Sequence, residues 1–144
     1  MTIRPYSSSD KDKIIELLRL NTPKYFSETE EKDLIDYLDN HIDHYYVLEE
    51  KDILLGCGGF NITKDGATAY LSWAIIHPEQ QGKGLGSIIT KHRIAEINKI
   101  EGVKDIAVRT SQHVYKFYEK MGFSILEIVK DYWAKGFDLY DMKM

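Results

Sequence analysis

The stretch "HPEQQGKGLGS", from His77 to Ser87, is the part of the sequence best suited to chemistry. It places three glycines and one lysine within five residues, directly after an apolar run. Glycines between a strand and a helix allow positive φ angles, and they let backbone N–H groups converge on an anion at the positive end of the helix. The stretch therefore predicts a phosphate-binding loop.

Two common phosphate loops do not account for this stretch. A P-loop ends in Gly-Lys-Ser or Gly-Lys-Thr, whereas Lys83 precedes the last two glycines. A dinucleotide-binding fingerprint requires G-x-G-x-x-G, and Ser87 occupies the third glycine position. The loop also lies in the middle of the chain, after several strands that look antiparallel. The pattern that remains is Q-x-x-G-x-G, formed by Gln81, Gly84 and Gly86.

A second motif, "TSQHVYKFYEKMGF", lies downstream of the loop. Together with "WAIIHPEQQGKGLGSII", it resembles the GNAT superfamily of acyl-CoA-dependent N-acyltransferases. The segment is similar to that family's N-x-x-A-x-x-L-Y-x-x-x-G-F, and it agrees in register at Phe117, Tyr118, Gly122 and Phe123. It departs at two positions, with Ser111 where Asn is common and Val114 where Ala is common.

The resemblance implies that acetyl-CoA is the co-substrate. In the family, amides of the glycine loop hold the pyrophosphate, and the preceding strand pairs with the pantetheine arm. Ser111 is expected to cap the tyrosine helix and to reach a pantetheine amide. The cofactor-binding residues carried over in this way are Ala74, Ile76, Gln81, Gly82, Lys83, Gly84, Leu85, Gly86, Ser87 and Ser111.

The resemblance also assigns a catalytic role to Tyr118, which would assist the departing thiolate of coenzyme A. A thiol has an ordinary pKa near 8.5 and a phenol near 10, so full proton transfer is uphill by about 2 kcal/mol. A hydrogen bond, or transfer concerted with bond breaking, is the expectation. Tyr118 also shares a helical face with Val114, Phe117 and Met121, a spacing equally typical of a core residue.

The base that deprotonates the acceptor amine is left open. Some relatives use a Glu on the long strand, but Tyr70 occupies that position here. Tyr70 and Ser72 could anchor a water chain that removes the proton. His77, His113 and Asp131 are weaker candidates, since each is more typical of a surface or structural position.

The acceptor is expected to be a small-molecule or peptide amine, and a cationic one. Residues 1–50 carry 12 acids and 6 bases, whereas residues 51–144 carry 11 acids and 13 bases. If the first two helices line the acceptor cleft, as in the family, this acidity favours a cation; two ordinarily solvated helices are the alternative. Aromatic walls are expected from Tyr25, Phe26, Tyr132 and Trp133.

The composition narrows the class of protein. The 144 residues fit one domain over 1–144. A net charge of −4 argues against a general nucleic-acid binder, and no apolar run approaches a membrane span. The single cysteine, Cys57, and an N-terminus without an apolar signal region fit a reducing cytoplasm. No residues have metal-ligand spacing, and a homodimer is left open.

The hydrophobic patterns predict the order β-α-α-β-β-β-α-β-α-β-β. This order indicates an α/β or α+β fold. We expect a mixed, mostly antiparallel central sheet, splayed at the cofactor site as in the family and flanked by about four helices. Ser8 or Ser9 is the predicted cap of the first helix. The third helix is predicted to bury a face that contains Ile88, Ile89, His92 and Ala95.

The resulting hypothesis is an N-acetyltransferase in which the amine attacks the thioester directly. Cys57 has no basic partner nearby in sequence, so a covalent enzyme intermediate is not expected. Two alternatives stay open: a coenzyme A-binding regulatory module without catalysis, and a nucleotide-binding protein.

Overall fold

The computed structural model describes residues 1–144, and its centre is one seven-stranded sheet. The sheet order is β1-β2-β3-β4-β5-β7-β6, with β4 and β5 parallel and all other neighbours antiparallel. The strands are β1 (Thr2–Pro5), β2 (His44–Glu50), β3 (Ile53–Ile62), β4 (Thr68–Ile76), β5 (Asp105–Thr110), β6 (Ser124–Ala134) and β7 (Phe137–Lys143).

Four α-helices flank the sheet. They are α1 (Lys11–Leu20), α2 (Glu30–Asp36), α3 (Leu85–Asn98) and α4 (Tyr115–Lys120). A π-helical turn, Tyr37–His41, continues α2. The predicted element order, the mixed sheet and the four helices are confirmed.

The helices cover both faces of the sheet because side chains of a strand alternate between its faces. On one face, Ile14 and Leu18 of α1 and Leu34 of α2 form a buried cluster with Val47 and Cys57. The next residue of β3, Gly58, instead faces α3. Adjacent residues of one strand therefore contact different helical layers.

The start of α1 differs from the prediction. Ser8 and Ser9, the predicted caps, both lie in a short 3₁₀ turn ahead of the helix. The N–H of Ser7 instead donates to the carboxylate of Asp10 at 2.9 Å. This contact closes the turn before α1 begins, so the cap is Ser7, one or two residues earlier than predicted.

The buried face of α3 also differs from the predicted one. The buried positions repeat every four residues: Leu85, Ile89, Arg93 and Ile97. Of the predicted face, Ile88 and Ala95 are exposed and His92 is half-buried. A pattern based on hydrophobicity places the face wrongly because a buried arginine occupies one of its central positions.

The sheet opens between β4 and β5. Their parallel pairing runs from Thr68 with Asp105 to Leu71 with Val108 and then ends, although β4 continues to Ile76. Beyond Leu71, the side of β4 that faces β5 has no strand partner. This is the predicted splay, and it leaves a cleft within the sheet itself.

A bulge in β4 lies at the mouth of this cleft. Cys57 pairs with Ile75 and Gly59 with Ser72, so two residues of β4 oppose one of β3. Trp73 lies in the bulge with φ at +45°. An aromatic residue rarely adopts this left-handed conformation, and bulges of this kind redirect side chains next to binding sites.

Gly59 allows β2 to approach β3. A Cβ atom at this position would overlap the carbonyl oxygen of His44 and the ring and Cα of Tyr45. These contacts involve backbone, so they cannot be relieved by a rotamer change. Gly59 is therefore a site of close strand packing.

We expect Gly59→Ala to lower the free energy of unfolding by about 1–3 kcal/mol or more, because the new methyl group overpacks the β2–β3 pair. The matched control is Gly86→Ala in α3, where the added Cβ meets only the Phe117 ring at 3.5 Å. Alanine is favoured over glycine in a helix by up to about 1 kcal/mol, so this control should be neutral or stabilising. Urea denaturation measures both values. Equal effects of the two substitutions would contradict the close approach at Gly59.

Candidate active site

One large cavity fills the cleft between the diverging strands. Its volume is about 910 Å³, which is in the range of small-molecule and cofactor sites. It runs from the end of α1 and the start of α2, across β4, to the start of α3 and to α4. All of the predicted site residues except Lys83 line it: Ala74, Ile76, Gln81, Gly82, Gly84, Leu85, Gly86, Ser87, Ser111 and Tyr118.

The glycine loop presents unpaired backbone donors to this cavity. Gly82 and Gly84 have φ angles of +78° and +84°, and neither N–H donates to a group in the chain. The first i to i−4 bond of α3 runs from the N–H of Ile88 to the carbonyl of Gly84 at 3.1 Å. The amides of the first turn therefore have no acceptor within the helix, which is the geometry of an anion site.

Lys83 departs from its predicted place. It is exposed and does not line the cavity. Its N–H donates to the carbonyl of Gln80 at 3.3 Å and closes the turn before α3. The N–H of Lys83 therefore already has an acceptor within the chain, unlike the N–H groups of Gly82 and Gly84 on either side of it.

Tyr118 lies between the core and the cavity. Its side chain is 4% exposed and packs at right angles to Phe123, with ring centroids 5.5 Å apart. Its hydroxyl makes no hydrogen bond within the chain, and the residue lines the cavity. A buried phenol normally has a partner for its hydroxyl, so this hydroxyl is free to bond with a group that enters the cavity.

Ser111 occupies a turn before α4. The helix begins at Tyr115 with Val114 in the cap position, three residues after Ser111, so the prediction that Ser111 caps it is wrong. Its hydroxyl instead accepts from the N–H of His113 at 3.3 Å. The side chain is buried and lines the cavity.

The strained residue Trp73 is held in place by Tyr45. The Tyr45 hydroxyl donates to the Trp73 carbonyl oxygen at 2.6 Å, and the Cys57 sulfur lies 3.2 Å from the same hydroxyl. Burial raises the pKa of Tyr45 well above its ordinary value, so this hydroxyl is a neutral donor. The bond fixes the bulge that shapes the cavity wall.

A buried cation lies behind this wall. Arg93 is 1% exposed, and its guanidinium donates to the Gly59 carbonyl and to the Thr90 hydroxyl, both at 3.1 Å. Its Nε atom has no acceptor, and no carboxylate pairs with it. Buried charges are normally paired, and Thr90, which this guanidinium contacts, lines the cavity.

The opposite end of the cavity is aromatic and acidic. The rings of Phe26 and Trp73 stack at 17°, with centroids 6.2 Å apart, and Glu30 at the start of α2 lines the same region. Tyr25 also lines it, as predicted. The sequence indicates Glu30 only as half of a capping box with Ser27, and the buried position of its carboxylate is not evident from the helical pattern.

A hydroxyl network lies beside β4. The Tyr37 hydroxyl donates to the Asn61 side-chain oxygen at 2.7 Å and lies 3.0 Å from the Ser72 hydroxyl. Burial raises the pKa of Tyr37 to about 12, so Tyr37 stays protonated at neutral pH. Tyr70 and Ser72 line the cavity, and the water chain between them stays a prediction.

The other acceptor-side candidates have mostly structural partners. His77 accepts from the N–H of Glu79 at 3.1 Å, and Asp131 accepts from the N–H of Gly136 at 2.7 Å to close the β6–β7 hairpin. Neither lines the cavity, whereas His113 and Trp133 do.

Tyr132, one of the predicted aromatic walls, lies away from the cavity. Its ring instead packs under the guanidinium of Arg109, 5.0 Å from the ring centroid.

Cys57 is fully buried, and burial raises its pKa to about 12, so its thiol is a poor nucleophile.

No group of three or more acidic, histidine or cysteine side chains is arranged to hold a metal ion. None of the helices has the length and apolar character that crossing a bilayer requires.

The family of the chain follows from comparison with known proteins. Residues 12–144 match the family model described as the acetyltransferase (GNAT) domain. The chain belongs to this GNAT acetyltransferase family, which confirms the resemblance inferred from the two motifs.

Individual relatives are distant. An amino-acid acetyltransferase of Pasteurella multocida (strain Pm70) is 26% identical over 127 residues, 88% of this chain and 28% of that protein. The chain spans about a quarter of the length of the curated relatives it matches.

Solved structures share the fold. The Escherichia coli ribosomal-protein-S18-alanine N-acetyltransferase superposes with a TM-score of 0.80 at 20% identity, covering 99% of this chain and 92% of that one. An aminoglycoside 6′-N-acetyltransferase complexed with coenzyme A superposes with the same TM-score at 16% identity, covering 100% and 96%.

We expect Tyr45→Phe to lower the free energy of unfolding by about 1–3 kcal/mol, because the carbonyl of Trp73 loses a buried donor. Tyr46→Phe is the matched control on the same strand, since the Tyr46 hydroxyl has no hydrogen-bond partner and its loss should change stability by less than about 0.5 kcal/mol. Thermal unfolding of both variants measures the difference. Indistinguishable effects would show that the Tyr45 hydroxyl does not hold the bulge.

Proposed function

We propose that this chain transfers an acetyl group from acetyl-CoA to a primary amine by direct attack. The observation that carries this proposal is the meeting, in one cavity, of the unpaired amides at the start of α3 and the partnerless hydroxyl of Tyr118. The amides suit an anion such as a pyrophosphate, and the Tyr118 hydroxyl suits a leaving thiolate. Family membership and the coenzyme A complex of the aminoglycoside enzyme support the same donor.

The donor end of the cavity suits the parts of coenzyme A in order. The free amides of Gly82, Gly84 and the first turn of α3 suit the pyrophosphate. The unpaired edge of β4 at Ala74 and Ile76 suits the pantetheine arm, which would extend toward Ser111. The buried charge of Arg93 adds positive potential behind this region, where the substrate carries its negative charge.

The reaction needs a neutral amine. At pH 7 a primary amine with an ordinary pKa is neutral in about one molecule in 10³, roughly 4–5 kcal/mol from its nucleophilic form. Water held by Tyr70 and Ser72 would take the proton. A main-chain N–H near Ile76 would polarise the thioester carbonyl, the C–N bond would form as the C–S bond breaks, and Tyr118 would stabilise the departing thiolate.

The competing function is a regulatory module that binds coenzyme A without catalysis. No observation favours it, since Tyr118 has a hydroxyl free for chemistry and the cavity extends beyond the donor end to Glu30. Turnover decides between the two: an acetyl-CoA-consumption screen over amines, polyamines, amino acids and short peptides should find an amine-dependent reaction.

Isothermal titration calorimetry with coenzyme A, ATP and NAD tests the donor. We expect coenzyme A to bind and the two nucleotides to bind far more weakly, since they lack the pantetheine arm that the open edge of β4 suits. Tight binding of ATP or NAD without binding of coenzyme A would overturn the proposal in favour of a nucleotide-binding protein.

We expect Tyr118→Phe to lower kcat by roughly 10²-fold, at the lower end of the contribution of a positioned proton donor, while the Kd for coenzyme A changes little. The ring stays in place, so only the hydroxyl is lost. Steady-state kinetics and calorimetry measure the two quantities separately.

Tyr115→Phe is the matched control on the same helix. The Tyr115 ring stacks on Tyr140, with centroids 4.3 Å apart, and does not line the cavity. This variant should keep its kcat. If Tyr118→Phe weakens coenzyme A binding as much as it slows turnover, Tyr118 has a packing role instead.

A further inference from the structure

Glu30 is a buried carboxylate without a cation. It is 8% exposed and lines the cavity. Its Oε2 atom accepts from the N–H of Ser27 at 2.7 Å, and its Oε1 atom has no hydrogen-bond partner. The Oε2 atom therefore stabilises the turn before α2, and the Oε1 atom can bond with a group in the cavity.

Two other acids of the N-terminal segment have cationic partners, whereas the exposed acids Glu28 and Asp33 form no ion pair. Asp10 pairs with Arg4 at 2.8 Å, and Glu31, adjacent to Glu30, pairs with Arg19 at 2.6 Å. Glu30 takes part in no ion pair. Burial raises the pKa of its carboxyl, although the Ser27 N–H acts in the opposite direction. The free protein thus holds a carboxylate that lacks the counter-charge a buried ion requires.

The groups around Glu30 indicate what could supply that charge. Phe26 and Trp73 stand nearly parallel and line the same cavity as Glu30, and aromatic faces attract cations as well as apolar stems. Phe26 directly precedes Ser27, whose N–H holds the Glu30 carboxylate. Trp73 lies in the bulge of β4 with a left-handed φ of +45°, and strained residues of this kind cluster at ligand sites. An unpaired carboxylate and an aromatic pair that line one cavity suit an organic ammonium group.

We propose that Glu30, Phe26 and Trp73 form a subsite for a second ammonium group of the acceptor, one that stays charged and is distinct from the amine that is acetylated. This inference rests on the proposed acetyltransferase function. A carboxylate stabilises the charged form of a bound amine, which opposes its conversion to a nucleophile. The ammonium bound at Glu30 is therefore the recognition group, and the acceptor class is a molecule with two basic amino groups separated by an apolar linker.

The test compares straight-chain α,ω-diamines with monoamines of the same chain length as acceptors. For the wild-type protein, kcat/KM for the best diamine should be roughly 10- to 100-fold above that for the matched monoamine. This ratio corresponds to the free energy that one hydrogen bond to a charged group contributes to binding. The preference should appear mainly in KM. Glu30→Gln should lower the ratio of diamine to monoamine kcat/KM to about 1.

Glu30→Gln separates recognition from folding. Glutamine can still accept from the Ser27 N–H, so the turn before α2 is kept. Because burial disfavours the ionised carboxyl of Glu30, its neutral replacement should unfold at the same temperature as the wild type or higher at neutral pH. A purely structural carboxylate would give the opposite result. Glu28→Gln, an exposed acid of the same segment, is the matched control and should keep the diamine preference.

The outcomes are distinct. If the wild type acetylates amines but Glu30→Gln leaves the ratio of diamine to monoamine rates unchanged, the subsite is wrong and the acetyltransferase function stands. A wild type that acetylates monoamines and diamines equally well also contradicts the subsite alone. If no amine of the panel is acetylated, the proposed function and the subsite fail together.

Discussion

The early end of pairing between β4 and β5 is the constraint on which the site depends. Two parallel strands that stop bonding at Leu71 and Val108 leave backbone groups that the sheet does not satisfy. The chain places a cavity at this opening and surrounds it with the ends of α1, α2, α3 and α4. Every residue for which we propose a role lies on an element that borders the divergence, so the unsatisfied edge and the binding cavity are the same structural feature.

The bulge in β4 gives the cavity its two different ends. Its residue Trp73 stacks on Phe26, which lies shortly before α2, and the Tyr45 hydroxyl holds the bulge from beneath. Behind the sheet, Arg93 keeps a buried positive charge on the side of α3. The cavity therefore has positive potential and free amides at one end, and an unpaired carboxylate at the other. This polarity fits an anionic donor and a cationic acceptor that meet over β4.

Much of the architecture could be predicted because local patterns dominate it. The predicted order of seven strands and four helices is the observed one. The errors have physical causes. The hydrophobic pattern misplaces the buried face of α3 because Arg93 is a charged residue in a core position. It misplaces the cap of α4 because Ser111 closes a separate turn. The sequence also does not show that the amide of Lys83 closes the turn before α3 and that its side chain lies outside the cavity.

By itself, the sequence determined the order of elements, the glycine loop and the family, since these depend on spacing along the chain and on the conformational freedom of glycine. Only the tertiary structure decided which acids are paired. Glu30 and Glu31 are adjacent and chemically identical, yet Glu31 forms an exposed ion pair with Arg19 and Glu30 is buried beside the Phe26–Trp73 pair. Burial and counter-charge arise from contacts between distant segments. For this reason the "HPEQQGKGLGS" stretch already pointed to the donor, whereas the acceptor end required the folded chain.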